Sequence, residues 1–410
     1  DTRNLKKNDI FIGIKTKNDD GSLYFKDAIE KGAKLIILNN YSVSHKHIIQ
    51  VKDINKFITK FCQYLLKNYE GKIISITGSV GKTTIKENIY NILIDNNFTV
   101  CKSYKNFNNL LGLQFSIMNI NENSDFSIFE LGINAPGEMS KLINLLNPHF
   151  CLVTCIENSH IGNFKNFKHL VNNKIKIFNS KNLIYGLTNF THSNLKLKKT
   201  IQSSIDIINI DKIKYLVKKL KNKYQIEFIY KNLKKTIISE SNGIYAETAL
   251  ISYIFLSKFI NKLNSKTFFF KKSIIDSRGN VLNKIFNGNK IKVFDHSYNA
   301  SPYSLSKQLS YFHQKNIKKK LCIIGSMKEL GDNSDEYHIE IMEKISLLKF
   351  DKSIFIGDEF YKIKDKYKNY KYYKSYKNYI KIMNKDFIAF KNIFIMGSRS
   401  NQLNKIIEKI

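Results

Sequence analysis

Short apolar runs, each ended by glycine or polar residues, alternate along the chain with stretches whose apolar residues recur every three or four positions. In residues 1 to about 65, the runs DIFIGI and KLIILN flank such a helical stretch, which predicts a small α/β unit. From Lys72 the order is strand, glycine loop and helix, and the runs FSIFELG and FCLVTCI each lead into another helix-like stretch. Strands that alternate with helices in this way predict a parallel α/β sheet in the middle of the chain.

A second series of apolar runs begins at about residue 269, after a segment (180–240) that is rich in lysine and asparagine and is hard to assign. The runs KVFDHSY, KLCIIGS, KSIFIGD and NIFIMGS are separated by helical stretches, a rhythm typical of a doubly wound, Rossmann-like sheet. We therefore predict an α/β fold of three domains: residues 1–66, a central unit 67–268 and a C-terminal unit 269–410.

Composition places the chain among soluble globular proteins. Hydrophobic residues make up 43% of its 410 residues, and no apolar run approaches the roughly 18 residues of a membrane span. No export leader precedes Asp1, and five scattered cysteines have neither disulfide-framework nor metal-type spacing. These features predict a cytoplasmic protein whose numbering starts inside a domain or after trimming.

The net charge of +33 raises the alternative of nucleic-acid binding, because dense lysine can neutralise phosphates. Lysine is spread over the whole chain together with abundant asparagine and isoleucine, which favours a general compositional bias over a localised basic face. The stretch IKDKYKNYKYYKSYKNY is accordingly interpreted as solvated surface, with a base-stacking stripe as the alternative. The charge surplus still favours acidic ligands such as nucleotides.

The segment between the strand IISIT and the next helix predicts a phosphate-binding loop. Its residues are Gly78, Ser79, Val80, Gly81, Lys82, Thr83 and Thr84. In such a loop the backbone N–H groups point at phosphate oxygens, Lys82 reaches the terminal phosphates and the Thr83 hydroxyl binds Mg²⁺. The loop is a variant, because Ile76 occupies the position of the usual first glycine. A plain glycine turn between strand and helix is the alternative.

With the variant TGSVGKTT the sequence begins to resemble the Mur ligases, a family that joins amino acids or dipeptides to UDP-N-acetylmuramoyl peptides with ATP and Mg²⁺. The resemblance extends over most of the chain. It is carried by DTRNLKKNDIFIGIKTKNDDG at 1–21, NFNNLLG at 106–112, ELGINAPGEM at 130–139, NSHIGNFKN at 158–166, DHSYNASPYSL at 295–305, GSMKELG at 325–331 and GSRSNQL at 397–403. The last three segments resemble the branch that adds D-alanyl-D-alanine to UDP-N-acetylmuramoyl-tripeptide. The resemblance implies those two substrates. We also predict a monomer with no nucleic-acid partner.

The resemblance also implies roles for individual residues. Glu130 and His160 would join Thr83 as metal ligands, with a solvent-facing strand end and a hydrogen-bonded loop histidine as the respective alternatives. Lys174 would be a carbamate that holds a second Mg²⁺, although a solvated lysine is an alternative and Lys176 is a nearby competitor. Lys82, Lys174 and His160 are the predicted catalytic residues. Further predicted contacts are ATP with Arg278 and Asn299, and the substrates with Asp1, Thr2, Arg3, Asn108, Asn109, Ser398 and Arg399; a buried salt bridge is the alternative role for Arg399.

Four departures from the family pattern stand out. The region after residue 180 lacks the aspartate-rich turn that the resemblance leads us to expect. GIYAETAL at 243–250 lacks both asparagines of a segment that contacts adenine, Ser277 replaces a glycine before Arg278, and His296 replaces an acid beside Asp295. The sequence therefore leaves three alternatives open: a divergent active ligase, a related ligase for another precursor, and a non-catalytic nucleotide- or nucleic-acid-binding protein.

Overall fold

The computed structural model describes residues 1–16, 19–39, 43, 45–104, 107–157, 161–189, 204–221, 223–239, 246–260, 263, 269–270, 277, 279–315 and 317–410. His160 and Arg278 lie outside these residues. Within the described ranges no helix has both the length and the apolar character that crossing a bilayer requires.

The N-terminal part of the chain forms a small sheet of three parallel strands in the order β1-β2-β3. Its second helix is amphipathic, and the buried side chains of Ile54, Ile58 and Cys62 pack in one apolar cluster with residues of the central unit. The small sheet is therefore anchored to the central unit by this helix. The elements are β1 (Ile10–Ile12), α1 (Phe25–Glu30), β2 (Leu35–Asn39), β3 (Ile48–Val51) and α2 (Ile54–Lys67).

The central sheet has six parallel strands in the order β5-β6-β4-β7-β8-β9. Its inner strands are apolar runs because helices cover both faces. The chain leaves β4 towards one side and returns to its other side at β7, so the carboxyl end of β4 lies where ligands bind in such sheets. The elements are β4 (Lys72–Thr77), α3 (Lys82–Asp95), β5 (Val100–Lys102), α4 (Leu110–Met118), β6 (Phe126–Glu130), α5 (Glu138–Leu146), β7 (Phe150–Val153), α6 (Phe167–Lys174), β8 (Tyr185–Asn189) and β9 (Ile205–Ile208).

Residues 215–239 form a three-stranded antiparallel meander, within the segment (180–240) that was hard to assign from sequence. Its apolar side chains, among them Ile226 and Phe228, pack with α3 and the following helix against one face of the central sheet. The short strand at 269–270 pairs with the meander in parallel, although the predicted boundary assigns it to the third unit. The elements are β10 (Tyr215–Lys219), β11 (Tyr224–Tyr230), β12 (Leu233–Ser239), α7 (Ala246–Leu256) and β13 (Phe269–Phe270).

The C-terminal sheet has the order β14-β15-β19-β16-β17-β18. Five strands are parallel, and β14 is joined to β15 as an antiparallel hairpin through Asn287 and Gly288, both at positive φ. The predicted α/β fold with parallel sheets is confirmed. The elements are β14 (Asn280–Phe286), β15 (Asn289–His296), α8 (Pro302–Gln314), β16 (Lys320–Gly325), α9 (Ser334–Leu348), β17 (Lys352–Ile356), α10 (Asp358–Lys362), β18 (Lys371–Tyr373), α11 (Tyr376–Ile380), α12 (Asn384–Ala389), β19 (Asn392–Met396) and α13 (Asn404–Ile407).

Candidate active site

A cavity of about 780 Å³ lies between the carboxyl ends of the central strands and the C-terminal unit. Residues from both units line it, and many of them belong to the set predicted from sequence. The predicted residues on its wall are Ser79, Val80, Gly81, Lys82, Thr84, Asn108, Asn109, Glu130, Lys174, Asn299, Ser398 and Arg399.

The phosphate loop between β4 and α3 is held by the segment that follows β7. The Ser79 N–H donates to the carbonyl oxygen of Cys155 at 2.7 Å, and the Thr154 hydroxyl donates to the carbonyl of Val80 at 2.6 Å. Gly78 has φ 147°, and a Cβ there would lie 2.0 Å from the Thr154 Oγ1. Gly81 has φ 86°. Glycine is therefore required at Gly78 by both backbone conformation and close packing.

Lys82 opens helix α3, and its ammonium folds over the loop. Its Nζ donates to the carbonyl oxygens of Gly78 and Ser79 at 2.8 and 3.3 Å. The helix has no side-chain cap at its start, where Gly81 is the N-cap residue. A lysine above a glycine loop at the start of an uncapped helix suits a polyphosphate.

Glu130 ends strand β6 beside the start of α3, and its carboxylate is only 2% exposed. One of its oxygens accepts a hydrogen bond from the Thr83 hydroxyl at 2.8 Å, and the other accepts one from the Asn108 side chain at 3.2 Å. Within the described ranges this carboxylate has no ion-pair partner. A buried carboxylate paired with a hydroxyl offers the oxygen ligands that Mg²⁺ prefers, so the residues present fit that ion. Glu130 therefore faces the cavity and does not lie on the solvated surface.

Lys174 ends helix α6 and is 1% exposed. Its Nζ donates to the carbonyl of Gly78 at 3.2 Å. Burial, reinforced by the charge of Lys82, lowers the pKa of Lys174 to about 7. The nearby Lys176 instead donates to the Asn173 side chain at 3.4 Å and does not line the cavity. The geometry thus favours Lys174 over Lys176 as the lysine of the site.

The C-terminal unit contributes Asn299, Ser398 and Arg399 to the opposite wall. The Ser398 hydroxyl accepts a hydrogen bond from the Lys328 N–H at 3.1 Å, so this serine fixes the GSMKELG loop. Arg399 is exposed and takes part in no salt bridge among the residues that the structure describes. Its guanidinium is thus available to a carboxylate in the cavity.

Asp295 and the two departures His296 and Ser277 have local structural roles. Asp295 accepts hydrogen bonds from the N–H and hydroxyl of Ser297 at 2.9 and 2.7 Å, so it holds the turn after β15. His296 lines the cavity, and burial lowers its pKa to about 4, which keeps it neutral at physiological pH. Ser277 has φ 58°, a conformation in the left-handed region that favours the glycine it replaces.

The other residues predicted to bind substrate fall into two groups. Asn108 and Asn109 lie on the cavity wall, and Asn109 also caps helix α4 by accepting from the Gly112 N–H. Asp1, Thr2 and Arg3 form a turn in the N-terminal unit and do not line this cavity. The Arg3 guanidinium pairs with the Asp1 carboxylate at 2.7 Å on the surface.

Several residues of the cavity wall were not predicted from sequence, among them Glu247, Tyr303, Lys307 and Lys328. A signal was present for Tyr303 and Lys307. Ser301 and Pro302 start helix α8 with a capping box, and a spacing of four residues then places both side chains on the same helix face. For Glu247 no comparable signal exists, since its segment departs from the family pattern.

Comparisons with known proteins agree with this geometry. Residues 76–252 match the Mur ligase middle domain, and residues 278–399 match the domain described as "Mur ligase, glutamate ligase domain". The chain belongs to the Mur ligase family. A relative of this Mur ligase in Rickettsia prowazekii, named UDP-N-acetylmuramoyl-tripeptide–D-alanyl-D-alanine ligase, is 30% identical and aligns over 99% of this chain and 93% of its own length. A relative of the same name in Borreliella burgdorferi is 26% identical over 99% of this chain and 92% of its length.

Solved structures share the fold of this Mur ligase. MurF from Acinetobacter baumannii superimposes with a TM-score of 0.81 at 18% identity, covering 100% of this chain and 92% of that one. MurF from Thermotoga maritima, solved in complex with ADP, gives a TM-score of 0.79 at 23% identity and covers 100% and 95%. The family resemblance inferred from the motifs is confirmed, and with it an ATP-dependent amide ligase activity.

Proposed function

We propose that this chain joins D-alanyl-D-alanine to UDP-N-acetylmuramoyl-tripeptide at the expense of ATP, in the cytoplasm and as a monomer. The observation that carries the proposal is the cavity in which a phosphate loop faces a buried carboxylate and a buried lysine, with Arg399 on the opposite wall. The names of the full-length relatives support these two substrates.

The chemistry requires two transfers at one place. The tripeptide carboxylate attacks the γ-phosphorus of ATP, and ADP leaves. The amine of the dipeptide then attacks the acyl phosphate, and phosphate and a proton leave as the amide forms. Both steps depend on charge neutralisation and alignment, with no need for a protein nucleophile. Lys82 would offset charge on the terminal phosphates, and Arg399 would hold the carboxylate of the dipeptide.

Thr83, Glu130 and, as a carbamate, Lys174 would hold Mg²⁺, with His160 as a further proposed ligand. When bound, Mg²⁺ shields the phosphate oxygens from the attacking carboxylate. The neutral amine of Lys174 can add to carbon dioxide, which forms an N–C bond, releases a proton and leaves an anion. The nucleotide end of the substrate would contact Asp1, Thr2 and Arg3, and its peptide would pass Asn108 and Asn109. Arg278 and Asn299 would each make a further contact with ATP.

We also propose that the three domains of the chain are separated after residues 66 and 268.

The proposal is tested by measuring phosphate release from Mg-ATP with each acceptor and donor alone and together. We expect release only when UDP-N-acetylmuramoyl-tripeptide and D-alanyl-D-alanine are both present, and a Lys82→Ala variant should abolish it without altering the circular dichroism spectrum. Lys67→Ala, an exposed lysine at the end of α2, is the matched control and should retain full activity. Substantial turnover by Lys82→Ala would refute the loop assignment.

Discrimination from the rival functions uses the same purified protein. Equal turnover with single amino acids in place of the dipeptide would contradict the donor that we propose. Salt-dependent binding to a random oligonucleotide, with no ligase activity, would instead favour a nucleic-acid-binding protein.

A further inference from the structure

One ion pair connects the two walls of the cavity. Glu247 lies in the first turn of α7 on the central side, and Lys307 lies in α8 on the C-terminal side. The Lys307 Nζ donates to both carboxylate oxygens of Glu247, at 2.8 and 2.6 Å. In the described part of the chain, this is the only salt bridge between residues 67–268 and residues 269–410.

The surroundings of the pair strengthen it. The side chains of Lys307 and Glu247 are 39% and 27% exposed, and the Lys307 ammonium lies 4.7 Å from the ring centroid of Tyr303. Burial alone would lower the pKa of Lys307, but the hydrogen bonds that its ammonium donates to Glu247 and Tyr303 outweigh burial and raise that pKa. The lysine therefore stays charged, and its attraction to Glu247 is only partly screened by water.

The pair stands next to the phosphate loop. Thr248, the neighbour of Glu247, has its methyl carbon 3.6 Å from the place that a Cβ on Gly81 would occupy. Glu247 also belongs to GIYAETAL, the segment that lacks the asparagines expected from the family resemblance. A carboxylate in the first turn of a helix is further stabilised by the positive end of the helix dipole. At this wall, then, the chain has an ion pair between units where base-contacting amides were expected.

We propose that Glu247 and Lys307 are positioning residues whose ion pair holds the C-terminal unit against the phosphate loop. The pair thereby aligns Asn299 with the bound nucleotide and Arg399 with the carboxylate of the dipeptide. The kinetic test of this ion pair assumes the ligase activity proposed above, whereas its scattering test does not. Both carboxylate oxygens accept from Lys307, so the role proposed for Glu247 is exerted through the lysine.

Charge exchange tests the pair directly. Glu247→Lys and Lys307→Glu should each lower kcat/KM for ATP by about tenfold, because each places like charges face to face in a partly desolvated cleft. The double variant, which restores an ion pair of reversed polarity, should recover to within about threefold of the wild-type value. Asp206→Asn is the matched control, since it breaks the Lys258–Asp206 pair of 2.7 Å inside the central unit and should leave kcat/KM unchanged.

Two further measurements separate positioning from the alternatives. The first replaces ATP by ITP, whose base has a different hydrogen-bonding edge. If the pair acts by position, each single variant should lose the same fraction of kcat/KM with ITP as with ATP. A loss seen with ATP alone would assign Glu247 to base recognition and overturn the proposal. A double variant no better than the worse single variant, with melting temperatures equal to that of the wild type, would also overturn it.

Small-angle X-ray scattering of the full chain gives a readout that needs no turnover. With Mg²⁺ and a non-hydrolysable ATP analogue, the single variants should show a larger radius of gyration than the wild type, and the double variant should return to the wild-type value. If no protein shows ligase activity but this scattering pattern appears, the proposed function fails and the ion-pair proposal stands. Identical scattering by all four proteins would refute the ion-pair proposal even in an active ligase.

Discussion

The buried amine of Lys174 yields the sharpest test of the site, because its environment prepares it to react with carbon dioxide. Only a neutral amine attacks carbon dioxide, and an ordinary lysine with a pKa of 10.5 is neutral about one time in a thousand at pH 7.5. With the pKa of Lys174 lowered to about 7, about three quarters of the molecules carry the neutral amine at that pH. Its burial therefore raises the reactive fraction by about 750-fold.

The assay is ¹³C nuclear magnetic resonance of the full chain in ¹³C-labelled bicarbonate at about pH 7.5. We expect one carbamate signal that Lys174→Arg removes, because a guanidinium does not form the adduct, and that Lys176→Arg leaves in place as the matched control. Lys174→Ala should lose turnover, and short-chain carboxylates should restore more of it than bicarbonate does, because they supply the missing anion. Full activity in unsupplemented Lys174→Ala would refute the carbamate.

The same lysine affects stability in a defined direction. Its folded pKa lies below its unfolded value of 10.5, so the cost of burying the ammonium is complete below pH 7 and disappears as the pH rises towards 10.5. A fall in pKa from 10.5 to about 7 corresponds to about 5 kcal/mol at most. In buffer free of carbon dioxide at about pH 6.5, Lys174→Met should therefore melt at a higher temperature than the wild type. A lower melting temperature would show that the ammonium is compensated.

Three further predictions concern the loop, the metal site and the pH dependence. Gly78→Ala should abolish ATP binding in calorimetry, since the new methyl would lie 2.0 Å from the Thr154 Oγ1, and unchanged affinity would contradict the loop geometry. Glu130→Gln should raise the Mg²⁺ concentration for half-maximal activity by about tenfold or more, because an amide is a weaker ligand than a carboxylate, and an unchanged Mg²⁺ titration would remove Glu130 from the site. His296 has its pKa lowered to about 4 by burial, so its contribution to the free energy of unfolding falls as the pH drops from about 6.5 to 4. His296→Asn should reduce proton uptake on urea unfolding in that range by up to about one proton, and an unaltered uptake would refute the assignment.

The parallel sheets could be predicted because their strands are buried on both faces and therefore appear as continuous apolar runs. KIISIT and FCLVTCI are examples, and they correspond to β4 and β7. The meander was harder to predict because one face is solvated and carries lysines. Its alternation is visible in β11, where Ile226 and Phe228 are each 1% exposed and their neighbours are more exposed. The hairpin of β14 and β15 had a readable signal in Asn287-Gly288, a favoured pair for tight turns.

The residues of the site also differ in whether the sequence could predict them. The phosphate loop lies in a short motif whose spacing carries its chemistry, so local sequence was sufficient to propose it. The role of Glu130 came from the family resemblance of its motif. Glu247 and Lys307 are 60 residues apart and meet only because α7 and α8 face each other across the cavity. In a chain with 67 lysines and arginines, a single lysine at the end of such a contact carries no signal of its own.

The buried charges also favour an active ligase over an inactive scaffold. A burial cost of up to about 5 kcal/mol at Lys174 is comparable to the entire net stability of many domains, about 5–15 kcal/mol. A scaffold would gain stability from an apolar residue at Lys174 and from a neutral one at Glu130. Among the described residues, the buried Glu130 carboxylate accepts hydrogen bonds from one hydroxyl and one amide and has no ion-pair partner. Both residues face the cavity. The segment 243–250, which lacks the expected asparagines, instead contributes Glu247 to the ion pair with Lys307. Costly buried groups at the reacting centre are what a divergent but catalytic enzyme requires.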